Sequence, residues 1–209
     1  MILLGFISLQ IFFAMYNSCA GELAQNIALD CASPNVGGYT GRGLFIPWDN
    51  VQGVVQDASN PRIVSSITLA TGKKLAVIDN VFAEPFSGSS TASTTDSGRI
   101  AYTKTVSFRI PKRGADVSKE LVEPLASSAN GFLLVLEKQD KKGDGSYEIV
   151  GLQSPFRVNG DGISRNELEA GGDISVTGAA FEPWFEETFF DTDYATTKAA
   201  FEALMASAF

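Results

Sequence analysis

Residues 100–110, IAYTKTVSFRI, alternate more strictly than any other part of this chain. Ile100, Tyr102, Lys104, Val106, Phe108 and Ile110 fall on one face, and Ala101, Thr103, Thr105, Ser107 and Arg109 on the other. A period of two over eleven residues fits a β-strand with one buried face and does not fit a helix. Other segments of the chain also read as strands. RIVSSITLA (62–70) and KKLAVIDNVFAEPF (73–86) read as strands joined by a tight Thr-Gly turn at 71–72, and they are expected to pair as a hairpin. LFIPWDNV (44–51) reads as a short strand placed at an edge or a strand start by Pro47, after a turn-rich segment, PNVGGYTGRG (34–43). GFLLVLEKQD (131–140) reads as a buried strand. KKGDG (141–145) turns it back into SYEIVGLQS (146–154), giving a second hairpin. PFRVNGDGISRNELEAGGD (155–173) begins extended and becomes loop, and DISVTGAAFE (173–182) is a last core strand.

Between two of these strands lies SGSSTASTTDSG (87–98), low in complexity and without apolar period. It is expected to form the exposed, mobile tip of a long hairpin built from 73–86 and 100–110. Two segments read as helices. One is 116–129, capped by Asp116 or Ser118, carrying Leu121, Val122 and Leu125 at helical spacing and stopped by Asn130-Gly131; Pro124 marks the first turn of a second helical piece. The other closes the chain, capped by Thr192 or Asp193, with Ala200, Phe201, Leu204 and Met205 on its apolar side. The fold class is therefore mainly β with minor α: a β-sandwich or partly open barrel with a flanking helix, a C-terminal helix and a long hairpin loop. Residues 21–209 form a single β-rich domain behind an apolar N-terminal segment, 1–20.

That segment contains ILLGFISLQIFFA (2–14), too short for a membrane-spanning helix and of the length of a signal core, yet the first basic residue is Arg42. Three readings stand. It is a signal peptide, with lipidation at Cys19 although Tyr16 occupies an expected aliphatic position; or an upstream extension, with the start at Met15; or an arm packing on a neighbouring subunit. The start at Met15 is the preferred one. Cys19 and Cys31 are the only cysteines, and both a disulfide and a reduced buried pair remain open.

The chain has no histidine, which removes the commonest general base near neutral pH and excludes Ser-His-Asp and Cys-His systems. Two cysteines without Cys-x-x-Cys spacing cannot build a zinc cluster. NGDGIS (159–164) has the look of a calcium loop, but setting Gly162 at the sixth position puts Arg157 first and Leu168 twelfth, where carboxylates belong, so a plain turn is expected. ATGKK (70–74) fails as a phosphate loop because Ile67 stands where glycine is needed. Glu182, Glu186, Glu187, Asp191 and Asp193 could in principle supply paired carboxylates for glycoside cleavage; a solvated or interfacial segment is the expected role. The interleaved Trp184, Phe185, Phe189 and Phe190 suit an apolar anchor in a core or on a neighbouring subunit. No catalytic, cofactor-binding or metal-binding residue and no cofactor is assigned, and the chain is not expected to be an enzyme. A net charge of −8 disfavours binding to nucleic acid phosphates.

The opening ELAQNIALDCASPNVGGYTGRG, the hairpin with its Ser/Thr tip and the ending FFDTDYATTKAAFEAL resemble phage tail tube, or major tail, proteins, particularly those of phages infecting Bacteroidetes. The resemblance runs over residues 20–209. It implies a structural virion protein made in the host cytoplasm: a β-sandwich forming hexameric rings that stack into a hollow tube and meet other tail proteins at its ends. DNA would pass through the lumen without specific binding, and no membrane would be involved unless the N-terminal segment is a true signal. By the same analogy, the 73–110 hairpin would be the stacking element and 116–129 the flanking helix. The alternative is a secreted or surface lipid-anchored β-sandwich binding module.

Overall fold

The computed structural model describes residues 36–79, 86–96, 98–111, 114–165 and 173–209. The readings that fall on residues 1–35 (Met15, the apolar run, Cys19 and Cys31), on 80–85 and on Leu168 lie outside the described residues. Strands are numbered in chain order: β1 Tyr39–Pro47, β2 Val51–Gln56, β3 Ile63–Leu69, β4 Ala76–Asp79, β5 Phe86–Thr94, β6 Ile100–Ile110, β7 Phe132–Lys138, β8 Tyr147–Val150, β9 Arg157–Arg165, β10 Ile174–Glu182 and β11 Glu187–Phe189. They form a four-stranded antiparallel sheet, β5-β6-β10-β9, and a seven-stranded sheet, β2-β3-β11-β8-β7-β1-β4, in which only β11 and β3 run parallel. The two sheets pack face to face as a β-sandwich.

β6 shows why the strands stack this way. Lys104, Val106, Phe108 and Ile110 are buried in alternation, and β10 answers with Ile174, Val176, Ala180 and Glu182. Across the interface Phe45 of β1 meets Phe108 with ring centroids 4.7 Å apart, and Phe86 of β5 lies 6.1 Å from Phe108. Such tilted aromatic contacts add to the area these rings remove from water. The seven-stranded sheet is apolar on both faces. In β7, Leu134 and Leu136 face the sandwich core, while Leu133 and Val135 join a second core with Leu44, Ile46, Tyr147 and Phe201. Helix α3, Tyr194–Met205, covers this second core, so the architecture has three layers. Asp193 caps α3 by accepting the Thr196 N–H at 2.7 Å, as its position ahead of the helix suggests.

Several local expectations are corrected. The Ser/Thr-rich segment is strand β5 rather than a mobile tip: all nine residues from Phe86 to Thr94 pair in register with β6, and beyond them Gly98 N–H donates to Thr95 O. The 62–70 and 73–86 segments do not form a hairpin. β3 pairs with β2 and β11, whereas β4 crosses to β1. The reason is core geometry: Ala76 and Ile78 of β4 fit the sandwich core and Val77 the second core, a demand met beside β1. β1 begins at Tyr39, inside the segment read as turn, and lies between β4 and β7 rather than at an edge; Pro47 ends it. The return strand after β7 is shorter than 146–154, since a 3-10 turn, Gly143–Ser146, precedes β8.

NGDGIS is not a plain turn either. It lies within β9 as an enlarged bulge, residues 159–162 standing opposite Thr177 alone. A side chain at Gly162 would place its Cβ 2.1 Å from Thr177 O, so the bulge demands glycine there. The flanking helical segment consists of α1 Ala115–Val117, a π-helical turn Ser118–Val122 and α2 Glu123–Ser127, with Pro124 in the first turn of α2 as expected. Neither Asp116 nor Ser118 caps it; Gly114 holds the N-cap position. It ends where Ser128 turns extended, before Gly131 takes its left-handed conformation.

Candidate functional site: a charged cluster sealed between the sheets

β10 and β11 belong to different sheets, and residues 183–186 carry the chain across. Glu182 and Glu187 stand at the two ends of that crossing. Both are buried, at 1 % and 0 % exposure, and so is Lys104 of β6 at 1 %. The expectation of a solvated acidic segment therefore fails for these two acids, although Asp193 is exposed. Lys104 stands opposite Ala180 in the β6-β10 register, which makes Glu182 its diagonal neighbour on the same inner face. The Lys104 ammonium donates to Glu187 Oε2 and, at 3.4 Å, to the carbonyl of Ile149 in the other sheet. Glu182 accepts from Gly151 N–H at 2.9 Å and from Gln153 N–H at 3.1 Å. Glu187 Oε1 is buried with no hydrogen-bond partner.

Burial dominates the electrostatics. It pushes the Glu187 carboxyl up to about 7, against the hydrogen bond and charge of Lys104, and Glu182 and Glu148 push the same way. Burial also raises Glu182, opposed by the backbone donors at Gln153 and Gly151 and by Lys104. Next to this core lies a wetter group. Lys138 bonds to Glu186 and lies 3.4 Å from Glu148 Oε2, which also accepts from Tyr39 OH at 2.8 Å. Burial opposes the charge of Lys138, but the two glutamates hold its pKa above the ordinary value. The Tyr39 hydroxyl is raised by burial and by Glu148.

Of the residues singled out in the sequence, the structure brings Glu182, Glu186 and Glu187 into this cluster and leaves Asp191 and Asp193 at the start of α3. Phe189 joins the second core, while Phe185 is 58 % exposed and packs edge-on against Tyr102. Lys104 and Glu148 were not singled out. The signal for Lys104 is its place in the apolar stripe of β6; Glu148 carries none that separates it from a surface acid. Lys104, Glu182 and Glu187 are fully enclosed, so the chemistry this part of the cluster offers lies between its own side chains. Among the described residues, no group of three or more acids or cysteines is arranged to hold a metal ion. No helix among them is long and apolar enough to cross a membrane. No protein-family model, curated protein or solved structure matches the chain.

Proposed function

We propose that this chain is a structural subunit that assembles with copies of itself edge to edge, as a tail tube protomer whose stacked rings enclose a DNA conduit. The observation that carries this reading is the outer edge of β5. Natural sheets blunt their edges with short strands, bulges, charges or cover. Three edges here are blunted. β2 has two register shifts, β4 has four residues with Ala208 bridged beside Leu75 at its start, and β9 is bulged and packs near α2. β5 is nine residues long, FSGSSTAST, with neither charge nor proline, and among the described residues it pairs only with β6. A second copy adding a strand there would satisfy its backbone groups and extend the four-stranded sheet between protomers. The net charge of −8 suits a duct whose wall does not hold DNA phosphates.

Electron microscopy of the purified protein tests the proposal. Rings or tubes with a central hole are expected. A dispersed monomer at high concentration would count against it, and lipid on Cys19 in the mature protein would favour an anchored binding module instead.

A further inference from the structure

We propose that Lys104 and Glu187 condense into an isopeptide bond that covalently joins the two sheets of the sandwich, with Glu182 relaying the proton. The inference stands on the cluster's geometry and is independent of the assembly reading.

Three observations carry it. First, the amine and the carboxyl are in contact and both fully enclosed, at 1 % and 0 % exposure. A buried ion pair must repay the desolvation of two charges, and here the carboxylate has one oxygen with no partner. Proton transfer within the pair gives the neutral amine and neutral acid, which are the reacting forms. Second, the partners come from opposite sheets and are held by β6 and β11, so the encounter is already intramolecular. Third, another carboxyl, Glu182, is buried beside Lys104 as its diagonal cross-strand neighbour and is fixed by backbone N–H groups.

In the step, the lone pair of Lys104 Nζ attacks Cδ of Glu187. One amine proton passes to the Glu182 carboxylate and from there to the departing hydroxyl. The N–C bond forms, the C–O bond breaks, one water leaves, and the amide keeps one N–H. No oxidant, metal or further reactant is consumed. Exclusion of water favours condensation and protects the product from hydrolysis. The nearby Lys138–Glu186 pair has the same groups in contact, but its side chains are 22 % and 38 % exposed, so it remains an ion pair.

Tryptic peptide mapping of the full chain tests this. The expected product is peptide 100–109, uncut after Lys104, joined to peptide 166–198 at their summed mass less one water. Wild-type protein giving only the separate peptides, cut after Lys104, would overturn the proposal. Lys104→Arg should abolish the joined species, and its persistence in that variant would overturn the assignment. Glu182→Gln should remain folded by circular dichroism yet yield unjoined peptides; full joining in this variant would remove Glu182 from the mechanism. A joined Lys138–Glu186 peptide in place of the expected one would overturn the argument from burial.

Discussion

Glu137 of β7 is 2 % exposed, yet its acidity moves opposite to that of Glu187. Burial pushes its carboxyl up, but Lys141 and Thr40 donate to it at 2.6 and 2.8 Å and Arg42 lies 3.6 Å away, and together they hold it below the usual carboxylate value. A carboxyl that binds its proton less tightly when folded adds stability above its unfolded pKa and loses that contribution as pH falls through the lowered value. In thermal melts from about pH 5 to pH 2, Glu137→Gln should therefore show a shallower acid loss of stability than wild type. Parallel acid limbs would refute the assignment. A second residue-level prediction concerns Gly178. A Cβ there would lie 2.4 Å from the Phe156 ring and 2.5 Å from Arg157 O, so Gly178→Ala should lower stability by about 1–3 kcal/mol in urea denaturation. At this scale the sequence was only partly legible. Glu182 and Glu187 are visible as acids, but five acids in a short run read as a wet surface. Only the crossing from β10 to β11 places two of them in the interior. Lys104 was the better clue, because a lysine in phase with Val106, Phe108 and Ile110 needs an interior partner.

Elements were legible where their own side chains decide the pairing. β6, β7, β10 and α3 follow directly from period two, a continuous apolar run or a cap before an apolar face. β5 was not, because serine, threonine and glycine carry no apolar period; the strand exists because β6 offers it a partner at every position. Likewise the turn at 71–72 forms, yet the strands on either side part because their side chains suit different neighbours. Deleting 89–97 would remove most of β5 and expose the edge of β6, so it cannot test the edge alone. The sharper variant is Ser89→Lys with Thr91→Lys, both at exposed positions of β5. Surface changes of this kind should alter stability by no more than about 0.5 kcal/mol, whereas lysines along an open edge oppose strand addition. Folded protein without rings in the microscope is expected. Rings of wild-type abundance would show that β5 is not the joining edge.

At the largest scale, the described residues from Val36 to Phe209 are organised by one sheet with two cores. Leu134 and Leu136 serve the sandwich while Leu133 and Val135, alternating with them, serve the layer under α3. The continuous apolar run of β7 made a buried strand legible, but not its service to two cores, since the second cover, α3, lies more than fifty residues later. The sharing has an energetic consequence. Phe201 is 0 % exposed, its ring lies 4.8 Å from that of Tyr147, and the Arg42 guanidinium lies over the ring, 5.4 Å from its centroid. Phe201→Ala should therefore destabilise the protein by about 3–5 kcal/mol. If α3 were an independent appendage, the loss would stay local and the two sheets would melt as before. Because β1 and β7 donate alternate side chains to both cores, opening the second core strips support from strands that the first requires. Trp48 packs on the second core, whereas Trp184 lies on the crossing between the sheets, so tryptophan fluorescence samples both regions. The variant should show one lowered transition, coincident by far-ultraviolet circular dichroism and by fluorescence. Two separated transitions, with the sheet signal unshifted, would show instead that the layers unfold independently.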